Sequence, residues 1–170
     1  MKRFISATLL AISFLAASPV ISAQDCSNWT NWDLRGTYLG SGTGYLDLSK
    51  LFPGKGFPSG LTPMSLVIGH VYNGAGGATS WVSMNVGGTQ FNPEFTAYSY
   101  SMQADCTVRV TYTLNFKELG TTLTFTRIGV IVPKPGGLEI HSHAIGRPAV
   151  GPAGAGLNLN VIHRISMQQF

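Results

Sequence analysis

The chain has 170 residues, 44% of them hydrophobic and only 11% charged, with a formal net charge of +4 at pH 7. That length is enough for one domain with a sizeable core. Setting Lys2 and Arg3 aside with an export signal leaves nine of the eleven basic residues against seven acidic ones. No basic stripe remains to neutralise phosphates, so nucleic-acid binding is excluded as a reading.

Residues 1–23 read as a signal peptide rather than as structure. Lys2 and Arg3 give a positive start, residues 4–17 form a short apolar run, and Ala23 ends a small-residue stretch suited to cleavage. The apolar run is too short for a comfortable membrane span. Gln24 and Asp25 stand between the expected cut and Cys26, which argues against a lipid anchor. The expected product is a secreted or periplasmic protein with one domain over 24–170 and no membrane span. Its two cysteines, Cys26 and Cys106, most simply pair with each other in an oxidising compartment. They lack the Cys-x-x-Cys spacing of a redox pair.

Turn residues punctuate the remaining chain at short intervals, and helical periodicity is absent. A first strand is expected over 34–45, with Gly40, Gly42 and Gly44 suggesting a bulge or a tight bend. A long loop rich in glycine and proline covers 49–63. Strands then follow at 64–72, at 79–86 and at 89–94, joined by a glycine-rich hairpin turn at 73–77 and by Gly87-Gly88. Residues 95–103 continue in extended form.

The clearest pattern comes next. Val108, Val110, Tyr112, Leu114 and Phe116 alternate with Thr107, Arg109, Thr111, Thr113, Asn115 and Lys117. Successive strand side chains point to opposite faces, so this stretch describes a sheet with one dry face and one wet face. Residues 121–132 begin the same way, until Arg127 breaks the alternation and Ile128 restarts it. A turn at 133–137 leads into a strand at 138–145, and a Gly/Pro/Ala-rich loop at 146–156 precedes the last strand at 157–167. The expected fold is all-β: an antiparallel up-and-down barrel of about eight strands, with a β-sandwich as the alternative.

Several segments resemble a group of small secreted bacterial proteins with lipocalin-like (calycin-type) β-barrels, mostly of uncharacterised function. They are Cys26-Ser27-Asn28 with Leu34-Arg35-Gly36-Thr37-Tyr38, the hairpin Val71 to Gly77, and Tyr98 to Tyr100 followed by Ala104-Asp105-Cys106-Thr107. The endings Leu138-Glu139-Ile140 and Val161-Ile162-His163-Arg164 have the same character. The resemblance implies a secreted barrel with its two cysteines in reach of each other, and it supplies no catalytic residues. The loops at 49–63 and 146–156 depart from that pattern.

Chemistry-bearing residues are sparse. Glu139, His141 and His143 share one face of a strand, and a His-x-His pair grips zinc or copper when a third ligand arrives. Because Leu138, Ile140 and Ala144 are expected to face the core, these three are expected in solvent, with no metal and no cofactor. His163 shares a face with Leu157, Leu159, Val161, Ile165 and Met167, so it is expected to point inward. Tyr112, Phe116, Val161 and His163 are accordingly the candidate lining of a ligand cavity. No nucleophile elbow, paired carboxylates or phosphate-cradling loop occurs. The expected function is an exported soluble barrel, a binding or cell-envelope-associated module for a small apolar ligand that enters near the 49–63 and 146–156 loops. The alternatives are an isomerase or cyclase that uses the cavity and a small outer-membrane barrel.

Overall fold

The computed structural model describes residues 25–144, 149, 150, 155, 156 and 163–169, with side chains for 25–142 and 167–169. The described residues form an all-β, antiparallel structure. Its strands are β1 (Gly36–Leu46), β2 (Thr62–Tyr72), β3 (Ala78–Val86), β4 (Thr89–Phe91), β5 (Glu94–Met102), β6 (Thr107–Phe116), β7 (Thr121–Lys134), β8 (Gly137–Ala144), β9 (Ala149–Val150), β10 (Ala155–Gly156) and β11 (His163–Gln169). No helix among the described residues is long and apolar enough to cross a membrane.

The long strands follow one another as antiparallel neighbours. β1 pairs with β2, β2 with β3, β5 with β6, β6 with β7 and β7 with β8. β11 then runs between β8 and β1, so the last strand returns to the first. One step carries no ladder: β3 continues through β4, Asn92 and the buried Pro93 into β5 without pairing with it. The sheet is therefore not closed.

The alternation of β6 is realised as read. Val108, Val110, Tyr112, Leu114 and Phe116 are all buried, and the opposite face carries a threonine ladder. In that ladder Thr111 lies 3.3 Å from Thr126 and Thr113 lies 2.9 Å from Thr124, hydroxyl to hydroxyl.

Three local expectations need correction. Arg127 does not break the pattern of β7, because it is in phase with the buried Leu123, Phe125 and Ile131 and is itself 3% exposed. Ile128 and Val130 point outward instead, at 37% and 50% exposure. β1 carries no bulge at its glycines, since its register with β2 runs unbroken from Gly36 opposite Tyr72 to Leu46 opposite Thr62. Gly40, Gly42 and Gly44 are in phase with the buried Tyr38 and Leu46, and their missing side chains leave interior room for Ile68, Leu66 and Met64 opposite them. Within the 49–63 loop region, Leu48–Leu51 begins as a short helix, capped by the Asp47 carboxylate accepting from the Lys50 N–H. Its buried Leu48 and Leu51, with Phe52, plug that end of the molecule. Phe52 lies 5.0 Å from Phe116 and 5.9 Å from Phe57, ring centre to ring centre.

The opposite end is tied by the N-terminal segment. Cys26 and Cys106 form a disulfide across 80 residues of chain. Asn31 caps β5, its side-chain oxygen accepting from the Met102 N–H at 2.9 Å and its carbonyl accepting from the Tyr100 hydroxyl at 3.0 Å. The hairpin at 73–77 forms as expected, with Asn73 Oδ1 accepting from the Ala75 and Gly77 N–H groups and positive φ at Gly74 and Gly76.

Candidate functional site

Among the described residues the interior is closely packed. Tyr112 stacks on Phe125 at 5.4 Å and on Tyr98 at 6.0 Å, with Phe95 5.4 Å away. Phe116 is held between Phe52 and Phe91. The space between Tyr112 and Leu46, Met64, Leu66 and Ile68 amounts to about 20 Å³. That is room for roughly one water molecule. Of the four candidate cavity residues, Tyr112 and Phe116 are thus packed core residues. Val161 lies outside the described residues, and His163 is placed by its backbone alone, opposite Gly44.

The expected exposed row on β8 also differs. Glu139 is 7% exposed, not solvated. It sits between Val132 of β7 and Gln168 of β11, while the Lys134 ammonium covers it at 2.8 Å and His141 Nε2 lies 3.2 Å away. The cover comes from the Lys134 side chain, which lies over this carboxylate from across the turn. The His141 side chain remains 41% exposed, and the side chain of His143 lies outside the described residues. Among the described residues, no group of three or more His, Cys, Asp or Glu is placed to hold a metal ion.

One roomy feature lies at the unlaced step. Between β3 and β5 lies a cleft of about 610 Å³ lined by Val71, Asn73, Thr79, Ser80, Phe95, Thr96 and Tyr98, together with three small residues. Its cause is local. The β5–β6 register shifts between Phe95 and Ala97, so Thr96 is an extra residue in an otherwise regular ladder. A bulge bends and twists its strand, which takes β5 away from β3. It also resets the side-chain phase, so Phe95 and Tyr98 both face inward although they are three residues apart. One end of the cleft is pinned where the Tyr100 N–H donates to the Gly76 carbonyl at 2.7 Å.

A polar cluster underlies the cleft floor. Ser80 and His70 are directly opposite residues of β3 and β2, and Ser80 Oγ lies 2.6 Å from His70 Nδ1. The His70 ring sits 5.0 Å from Tyr98 and 5.8 Å from Phe95. Tyr72 and Tyr98 share a hydroxyl–hydroxyl hydrogen bond of 2.9 Å. Deeper, Arg127 donates to the Ser142 hydroxyl at 3.1 Å and to the Ser142 carbonyl at 2.9 Å. Burial, followed by the Arg127 charge, pulls the His70 pKa from 6.5 down to about 3. Burial pushes the Tyr98 hydroxyl well above its ordinary value, and Tyr72 adds to the effect.

That environment decides what the Ser80–His70 pair can do. A serine nucleophile needs a base that becomes positively charged as it takes the proton, and a carboxylate normally steadies that charge. Here a desolvated ring beside a guanidinium opposes it. The pair is a fixed hydrogen-bonding unit, and in either tautomer Ser80 Oγ keeps further donor or acceptor capacity for a ligand.

Sequence reading did not bring these residues together as a cluster, although the inward direction of two was detectable. His70 is in phase with the buried Met64, Leu66, Ile68 and Tyr72, and Arg127 with Leu123 and Phe125. The bulge at Thr96 had no such signal.

The His70 shift fixes a dependence on pH. The unfolded chain binds a proton on this ring near pH 6.5, whereas the folded chain resists it down to about 3. Stability contributed by neutral His70 is therefore complete above the unfolded value and is lost as pH falls through that window. The slope is at most about 1.4 kcal/mol per pH unit. Urea denaturation between pH 6.5 and 4.5 should show this decline in the wild type and a much flatter profile in His70→Gln. Parallel profiles would contradict it.

Comparison with protein-family models, curated proteins and solved structures finds no match to this chain.

Proposed function

We propose that the protein is an exported binding module whose meander wraps into a lipocalin-like barrel, and that it takes its ligand at the β3–β5 cleft rather than in the interior. The observation carrying this reading is the contrast in room: about 610 Å³ at the unlaced step against about 20 Å³ among the core side chains. The return of β11 to β1 supports a barrel over a sandwich. The disulfide supports an oxidising compartment. Among the described residues no Asp, Glu, Lys, Arg or His lines the cleft, which favours an uncharged ligand, with an apolar part for Phe95 and Tyr98 and hydrogen-bonding groups for Ser80 and Thr79.

An isomerase or cyclase is disfavoured by the weak basicity of His70 and the filled interior. An outer-membrane barrel is disfavoured by the threonine ladder on the outer face of β6 and β7, where lipid would demand apolar side chains.

The test uses the neutral fluorophore N-phenyl-1-naphthylamine. Its emission should rise on binding, and Ala97→Phe, a substitution at an exposed position bordering the cleft, should weaken binding at least ten-fold. Unaltered binding to Ala97→Phe, or no binding to the wild type, would overturn the reading.

A further inference from the structure

The backbone on the two rims of the cleft is as informative as its side chains. In an antiparallel ladder, directly opposed residues alternate between pairs that exchange hydrogen bonds and pairs that do not. The Asn73 N–H donates to the Gly77 carbonyl, which sets the alternation between β2 and β3. Counting along the register, Thr79, Trp81 and Ser83 direct their amides and carbonyls toward β2. Ala78, Ser80 and Val82 direct theirs the other way, which for Ala78 and Ser80 is into the cleft. The bond between Gly76 and Tyr100 and the pairing of Met84 and Val86 with β4 fall in the same phase.

β5 yields the same result from its own hairpin. The Gln103 N–H donates to the Thr107 carbonyl, so Ser99 and Ser101 serve β6. Tyr98, Tyr100 and Met102 then face away from β6. The Tyr100 N–H bonded to Gly76 and the Met102 N–H bonded to Asn31 agree with that phase. Ladder pairing occupies β3 on its cleft side only at Met84–Val86 among the described residues. The stretch from Ala78 to Ser80 is therefore a regular strand edge opening onto the cleft.

We infer that the ligand of this cleft is an uncharged, extended polypeptide segment that adds to β3 as a strand, bonded to the backbones of Ala78 and Ser80. This rests on the binding reading above and names its ligand class. Two observations favour a peptide over a compact small molecule. The rim groups recur every second residue, the repeat that an extended chain supplies on its own edge. The added strand would turn alternate side chains outward beside Val71 and Thr79 and inward toward Phe95 and Tyr98. None of these is charged, so an acidic or basic segment would strand its charge there.

The experiment uses isotope-labelled protein, reduced by neither thiol nor phosphine, and an acetylated, amidated hexapeptide alternating threonine and valine, at millimolar concentration. The peptide should slow amide hydrogen exchange at Ala78 and Ser80 at least ten-fold. The amides of Thr79 and Trp81, already committed to β2, should change far less. Methylating alternate peptide nitrogens keeps every side chain but removes the ladder donors, and it should weaken binding at least ten-fold. Ala97→Phe should abolish the protection.

If the naphthylamine binds and the peptide does not protect those two amides, the strand-addition inference is overturned while the cleft remains a ligand site. Equal binding of the methylated peptide overturns it too. If neither compound binds, both readings go. Protection accompanied by a concentration-dependent rise in molecular mass without peptide would assign the edge to a second copy of this chain and overturn the peptide inference.

Discussion

Tyr112→Ala and Phe116→Ala should each lower folding stability by about 3 to 5 kcal/mol, the usual cost of removing a buried aromatic side chain. Both rings lie in the interior, 5% and 3% exposed, and each touches at least two other rings. Thr111→Ala and Thr113→Ala, one residue away on the same strand, should cost roughly 1 kcal/mol or less. Their hydroxyls bond across to Thr126 and Thr124 on the outer face, where water can replace the partner. Chemical denaturation of the four variants is the measurement. Similar losses from both faces would mean that something other than water covers the threonine ladder.

The second large effect is covalent. Opening the disulfide by changing Cys26 and Cys106 to alanine should cost about 4 kcal/mol, the loop-entropy value for a crosslink of this span. Cys26 is itself 1% exposed, so the double variant also leaves a small void. Cys106 is the one described non-glycine residue with positive φ, and its carbonyl accepts from the Ile131 N–H at 3.0 Å. Alanine tolerates that backbone poorly, and Cys26→Ala/Cys106→Gly should recover part of the loss. A midpoint that is the same with and without the crosslink would show that the N-terminal segment is dispensable for folding.

The readable parts of the fold were those set by local chemistry. β6 alternates cleanly because each of its positions has one simple neighbour, water or core. The cysteines could be paired because there were only two. What escaped reading depended on partners distant in sequence. Arg127 looked like an interruption, since a guanidinium belongs inside only when acceptors such as those of Ser142 await it there. Glu139 looked solvated, because the covering Lys134 is across a turn and the flanking β11 is nearly thirty residues on. The glycines of β1 looked like a bend, although they preserve register and yield volume to β2. The short helix after Asp47 is one turn long, too brief for helical periodicity to register. The candidate site was least legible of all, because it is made by the place where the strand ladder fails.

That failure has the form of a frameshift. In the other described long strands, inward residues are written two apart, and the code runs in one phase along each strand. At Thr96 a single added letter shifts the phase, so that Phe95 and Tyr98, which an unshifted strand would send to opposite sides, end on the same wall. The cleft is thus encoded by an interval rather than by any particular residue. Its wall could be kept through wide changes of amino acid if the odd spacing survived, and lost through one deletion that left every other side chain in place.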